Sequence, residues 1–304
     1  MKLTFLIHEK APFSHVNVYQ ALQESFLEKI PEVVCMTIED FLINPIDTTW
    51  ILCLDHYKIR RFYSVLKGFA RLALYVLEDP YEIDQTRELS SSEIDLLLSQ
   101  DEGAIEFRRQ QLGQNAYFFP LATRHTVFYP NPTPNKKYKL VLVGNAFPNR
   151  IEIVEQLSEF LVEENIEMHI FGINWQKCKR NKKIQIHMGI ITEKQLAQIY
   201  NTSECTLEIN RTFQKFNDDN IQALTPGRGF SSLGCECFTI TDERSTSKQY
   251  FPEDGIGYYH DIEEIKEFIL LSTIHKSNMA KKGNFYVKKH TYRQRVEALL
   301  EILS

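Results

Sequence analysis

The chain has 304 residues, of which 43% are hydrophobic and 25% charged, the balance of a folded protein of about two ordinary domains. That composition excludes a disordered chain, a collagen-like repeat and a coiled-coil rod, and no apolar run reaches the roughly 20 residues of a membrane helix. The formal charge of −5, from 35 basic and 40 acidic side chains, argues against a dedicated duplex-DNA binder, which carries a basic excess.

In chain order, residues 2–7 form a compact apolar run that reads as a buried strand. It breaks into charge at His8-Glu9-Lys10, too early for the core of a signal peptide, so a cytoplasmic protein is the expectation. Residues 16–30 set Val16, Tyr19, Leu22, Phe26, Leu27 and Ile30 near helical spacing. Further buried strands are predicted at 33–36, 50–54 and 72–77, with a helical stretch at 59–69. Prolines alternate in Tyr129-Pro130-Asn131-Pro132-Thr133-Pro134-Asn135, which predicts a stiff extended linker because proline fixes φ and disfavours helix before it. A second series follows: strand 139–143, loop 144–149, helix 150–163, strands 167–171 and 184–188, helix 193–200, strands 205–209 and 237–241, and helix 262–273. Strands alternating with helices predict two α/β halves with parallel sheets, residues 1–133 and 134–304.

The six cysteines form no CxxC pair, and most sit among apolar neighbours as small core hydrophobes, which predicts free thiols in a reducing compartment. The basic run Lys177–Lys183 reads as a solvated loop in preference to a polyanion site.

Ligands of parallel α/β sheets bind outside the carboxyl ends of the strands. One such place is Val143-Gly144-Asn145-Ala146-Phe147-Pro148-Asn149-Arg150, where Asn149 would cap a helix whose N-terminus suits a phosphate and Arg150 would add a bidentate fork. The same residues equally fit a plain strand–helix turn with a surface arginine, since they match neither GxGxxG nor a Walker A loop. A second place is Thr225-Pro226-Gly227-Arg228-Gly229-Phe230-Ser231-Ser232-Leu233-Gly234-Cys235-Glu236, where turn chemistry sets Arg228 at the start of a short helix. Two basic cradles in one half point to a diphosphate.

With Leu207-Glu208-Ile209-Asn210, the closing His290-Thr291-Tyr292-Arg293-Gln294-Arg295, and Asp79-Pro80-Tyr81 and Pro120-Leu121-Ala122 in the amino half, these motifs stand in a family order. Over roughly residues 70–304 the chain resembles the group 1-type glycosyltransferases of the spore maturation protein CgeB group. The resemblance implies a GT-B fold: two Rossmann-like domains facing across a cleft, with the last helix crossing back to the first. It implies transfer of a sugar from a nucleotide-diphosphate sugar, a uridine one, without metal or cofactor. The donor residues would be Gly144, Asn145, Arg150, Gly172, Asn210, Arg228, Gly229, Phe230 and Ser231. Where the family has Glu after Arg-x-Phe this chain has Ser231, and the family Gly falls on Glu236; either Glu236 supplies the carboxylate instead or donor binding is weakened. No Asp-x-Asp is present; Asp218-Asp219 lies in a polar stretch that reads as a loop.

An inverting transferase needs a general base for the acceptor hydroxyl. His15, at the expected start of the first helix, and Asp79, past a strand end, are rivals for that role, with Asp55-His56 third; each also fits plain capping or loop hydrogen bonding. A retaining enzyme needs none of them. The acceptor is expected to be a surface glycan, a protein or, least favoured by the acidic balance, a nucleic-acid base. The alternative function is a degenerate transferase that binds a nucleotide or glycan without turnover, and a GT-B-shaped epimerase is the third reading.

Overall fold

The computed structural model describes residues 1–30, 32–54, 59–81, 83–90, 92–131, 136–211, 228–244 and 247–304. Asp55-His56 and Asp218-Asp219 lie outside the described residues. The chain divides into two units, one of Met1–Leu121 with Tyr292–Ser304, the other containing residues 122–211 and 228–291.

The first unit runs β1 (Leu3–Ile7), α1 (Phe13–Lys29), β2 (Val33–Thr37), α2 (Ile38–Ile43), β3 (Trp50–Leu54), α3 (Tyr63–Lys67), β4 (Arg71–Val76), α4 (Ile83–Thr86), β5 (Leu96–Ser99), α5 (Glu102–Leu112) and β6 (Ala116–Phe118). Its six strands pair in the order β2-β1-β3-β4-β5-β6, all parallel. Strands covered on both faces read as unbroken apolar runs: all five residues of β1 and of β3 are buried. β5 and β6 occupy a region where the sequence predicted no element. Leu96–Ser99 is too short to carry a period, and Ala116–Phe118 has three residues, so pairing with β4 and β5 alone marks them as strands.

The second unit runs β7 (Tyr138–Val143), α6 (Pro148–Gln156), α7 (Ser158–Glu163), β8 (Met168–Gly172), β9 (Ile184–Met188), α8 (Glu193–Asn201), β10 (Ser203–Glu208), α9 (Gly229–Gly234), β11 (Phe238–Asp242), α10 (Ser247–Tyr250), β12 (Gly257–Tyr259), α11 (Ile262–Leu270) and α12 (Thr273–Val287). Its parallel sheet has the order β12-β11-β10-β7-β8-β9. The expected single helix over 150–163 is two, broken at Leu157. Just past the break the Asn181 side-chain amide donates to the Ser158 carbonyl (2.5 Å) and hydroxyl (2.7 Å). A core of Leu140, Leu142, Val154, Leu161, Ile170 and Phe238 fills one face of the sheet.

The division between units falls after Leu121, not near 133. Residues upstream of the prolines are tied into the second unit: Thr123 bridges Thr291, Phe128 packs with Val141 and Cys237, and the Asn131 N–H donates to Asn201 Oδ1 (2.6 Å). The last helix, α13 (Tyr292–Leu303), belongs to the first unit. It buries Val296, Leu299 and Leu303, packs along α1, and its Leu303 carbonyl accepts the Trp50 indole N–H (2.9 Å). All six cysteines are free, five of them buried. Among the described residues no helix is long and apolar enough to cross a membrane.

Candidate functional site

In an open parallel sheet the ligand crevice opens where the strand order reverses, at the carboxyl ends. In the second unit that point lies between β7 and β10, since the chain leaves β7 toward β8 on one side and β10 toward β11 on the other. Gly144 follows β7 there. Its N–H donates to the Phe171 carbonyl (2.8 Å) and its carbonyl accepts the Trp175 indole N–H (2.7 Å). Gly172, at the end of β8, comes so close that a Cβ on it would stand 2.1 Å from the Gly144 oxygen. Two bare α-carbons are what let these strand ends close on each other.

The same bareness admits two cations. A Cβ on Gly144 would stand 2.7 Å from Arg150 Nη1 and 3.1 Å from Arg228 Nη1, so both guanidinium groups lie against one stretch of backbone. Arg150 comes from the first turn of α6; its Nε donates to the Ile209 carbonyl (2.7 Å) and its Nη1 to the Asn145 carbonyl (2.8 Å). Arg228 immediately precedes α9 and donates from Nη1 to the Val143 carbonyl. The arginines come from helix starts 78 positions apart in sequence, and only the strand order makes them neighbours. Phe147 lies beneath Arg150 (5.1 Å from its ring centre) and Arg211 (4.9 Å), a cation–π platform at the same strand end.

The start of α6 differs from the expectation. Asn149 does not cap it. Pro148 takes the first helical position, where its fixed φ is suited and its missing N–H costs nothing, so the cap position moves back to Phe147, which has no side-chain cap bond. The Asn149 amide instead donates to the Asn210 carbonyl (2.8 Å). Asn210 itself is occupied: its amide reaches Asp242 Oδ1 (2.8 Å) and Thr241 Oγ1 (3.3 Å), so it braces the β10–β11 ends and offers no free amide to a ligand.

Gly229 is buried in the first turn of α9. Phe230 is 1% exposed and packs edge-on against Phe251 and Tyr250; it belongs to the core and does not line the crevice. Ser231 is half-buried, with its N–H on the Arg228 carbonyl (2.8 Å). Glu236 does not replace the family carboxylate at Arg228. It lies past the far end of α9 with a φ of 52°, and a six-residue helix separates its ends by about 9 Å.

The carboxyl that does meet Arg228 is Glu208, which the sequence reading quoted and gave no role. It ends β10, is 8% exposed, and accepts the Arg228 backbone N–H on Oε1. Burial pushes its pKa up to about 7, while that N–H and the Arg228 charge pull the other way and Asp242 adds to the rise. A single acidic residue inside the apolar strand Cys205-Thr206-Leu207-Glu208-Ile209 was the available signal.

A family model described as glycosyl transferase-like matches residues 150–301, half of the chain. The chain belongs to this family. The match takes in Arg150, Glu208 and Arg228. A search of the curated proteins finds no significant match. Among solved structures, Anabaena Alr3699/HepE in complex with UDP-glucose superposes with a TM-score of 0.69 at 8% identity, over 99% of this chain and all of that one. Sucrose-phosphate synthase from Thermosynechococcus elongatus gives 0.67 at 12%, over 100% of this chain and 99% of that one. TarM gives 0.63 at 11%, over 84% of this chain and 54% of that one, so this chain spans about half of TarM's length. At such identities these matches speak for architecture alone: with the two parallel sheets they give the chain a GT-B fold, and the glycosyl transferase-like family rests on the family model.

In the first unit, His15 lies in the first turn of α1, 4% exposed, with Nε2 3.1 Å from Glu78 Oε1. His8, just past β1, stands 3.3 Å from Glu39 Oε1. Asp79 is otherwise engaged. Both its oxygens hold Arg108, at 2.6 and 2.9 Å, and Arg108 also bonds Thr86 Oγ1 (2.6 Å) and Gln114 Oε1 (2.9 Å). Asp79, Arg108 and Thr86 are buried, so Asp79 anchors α5 to the end of β4 and is not placed to take a proton from an acceptor. Among the described residues no three His, Cys, Asp or Glu side chains gather as a metal site.

Proposed function

We propose that this glycosyltransferase moves a sugar from a uridine-diphosphate sugar to an acceptor, with the donor's diphosphate held in the second unit by Arg150 and Arg228 over Gly144. The observation that carries the reading is the convergence of the two guanidinium groups on one bare glycine at the reversal of strand order. When the glycosidic bond breaks, negative charge collects on the departing diphosphate; fixed cations there stabilise the transition state more than the ground state and need no reorganisation. Two forks on one anion also give the geometric match that a single lysine would not. The HepE complex with UDP-glucose and a TarM variant of S. aureus in complex with UDP support a uridine donor on this fold.

The donor's charge is met by arginines, and we extend the reading to transfer without a metal ion. For the acceptor hydroxyl, the His15–Glu78 pair is the base we favour, with Glu78 fixing the imidazole and stabilising its protonated form. Six free cysteines support a reducing, cytoplasmic setting. The CgeB-group assignment rests on the order of the motifs. The acceptor class stays with the glycan or protein that the acidic balance favours.

Uridine diphosphate is expected to raise the melting temperature, and Arg228→Ala to abolish the rise. No rise with any nucleoside diphosphate rejects the donor reading. Release of uridine diphosphate from its sugars by purified protein separates a transferase from a binding module without turnover.

A further inference from the structure

Glu208 is a buried carboxyl with unequal oxygens. Oε1 accepts the Arg228 backbone N–H, whereas Oε2 has no hydrogen-bond partner among the described residues. A Cβ built on Gly229 would lie 3.5 Å from Oε2, 3.4 Å from the Phe251 ring and 3.9 Å from Ile256 Cδ1. Oε2 therefore lies by the bare α-carbon of Gly229, in a space that Phe251 and Ile256 also border. An ionised oxygen left there is costly, and a neutral acid is the cheaper occupant.

We propose that Glu208 sets the charge of the diphosphate site by gaining and losing a proton: neutral, it leaves the arginine pair's charge for the ligand; ionised, it offsets that charge and weakens anion binding. The inference rests on the donor reading above. The groups facing Glu208 are Arg228 before α9, Arg150 from α6, Asp242 at the end of β11, Tyr258 and Tyr259 of β12, and Tyr200 of α8. Burial holds the three tyrosines well above their usual range, and arginines stay protonated. Glu208, with its pKa raised to about 7, is the group whose charge changes around neutrality in this proposal.

A bound diphosphate adds negative charge beside Glu208, so binding raises the carboxyl's pKa and draws a proton from the buffer onto the carboxylate. Each unit of that rise is tenfold in affinity between the low-pH and high-pH limits. The test is calorimetric titration of uridine diphosphate into the whole protein and into Glu208→Gln from pH 6 to 9. Ionisation of the ligand's own phosphate is common to both proteins and cancels in the ratio of their Kd values. The expected result is that the parent weakens relative to Glu208→Gln by roughly fivefold to tenfold as the pH rises.

At pH 8 the terminal phosphate, with a pKa of about 6, is already ionised. There, buffers of different ionisation enthalpy should report uptake of about 0.4 proton by the parent for a one-unit rise, and less by the variant. The parent measurement stands even if the variant folds poorly. A Kd ratio constant with pH, or no proton uptake by the parent at pH 8, overturns the role of Glu208 while leaving the donor site intact. Absence of uridine diphosphate binding to the parent at every pH overturns the donor reading and this inference with it.

Discussion

Gly144→Ala isolates the cradle from the fold. The new methyl would stand 2.7 Å from Arg150 Nη1 and 3.1 Å from Arg228 Nη1, inside the roughly 3.5 Å of an ordinary contact, so both forks must retreat by several tenths of an ångström. They are the far ends of flexible side chains and can do so. The remaining cost to stability is the backbone conformation, φ 158°, at about 1 kcal/mol, or a loss of about 2–4 °C in Tm. Binding suffers more. A hydrogen bond to a charged group is worth about 1.5–3 kcal/mol, so misaligning these forks should weaken uridine diphosphate by about 10-fold to 100-fold. Gly172→Ala is the contrast: its methyl meets the Gly144 carbonyl, oxygen at 2.1 Å and carbon at 2.7 Å. Backbone cannot swing aside, so that variant should lose several times more Tm. Calorimetry with uridine diphosphate and thermal melting of both variants read the two effects separately. If Gly144→Ala binds within twofold of the parent, the two arginines are not the diphosphate's ligands and the reasoning fails.

Three further outcomes follow from the geometry. Asp79→Asn leaves the buried Arg108 charge uncompensated and should cost about 3–5 kcal/mol, seen as a large fall in Tm with little change in the turnover of protein that remains folded; a fall in donor turnover with unchanged Tm would return Asp79 to the chemistry. His15→Ala should lower turnover of the sugar donor by about 10²-fold to 10⁴-fold at unchanged uridine diphosphate affinity, and full turnover would remove His15 as the base. Glu208 also gives stability a pH dependence. Its folded pKa, near 7, lies above the ordinary 4.5, so between these values the folded state binds more protons than the unfolded chain. Stability therefore falls as the pH rises from about 4.5 to about 7 and is flat beyond, a loss of roughly 1–3 kcal/mol that Glu208→Gln should remove; urea denaturation of both proteins at pH 5 and pH 7.5 measures it.

The alternation of apolar runs and helical periods in the sequence determined two α/β halves, because a strand covered on both faces must be apolar throughout and a helix over a sheet must carry one apolar stripe. Residues 50–54 were legible to the residue for this reason, all five being buried; residues 184–188, an edge strand, were legible from the alternation of Ile184, Ile186 and Met188 with polar residues. Glycine and proline chemistry, being local, marked the break after Gly144, although α6 starts at Pro148 and not at Arg150. Partners distant in sequence were not legible. That Arg150 and Arg228 meet over Gly144 depends on β10 lying beside β7. That Asp79 is spent on Arg108, 29 positions on, and that Phe230 turns inward onto Phe251 depend on how the helices pack. Local sequence sets which backbone states and apolar faces are available; which charge stands beside which is set by strand order and burial, and these exist only once the whole chain has folded.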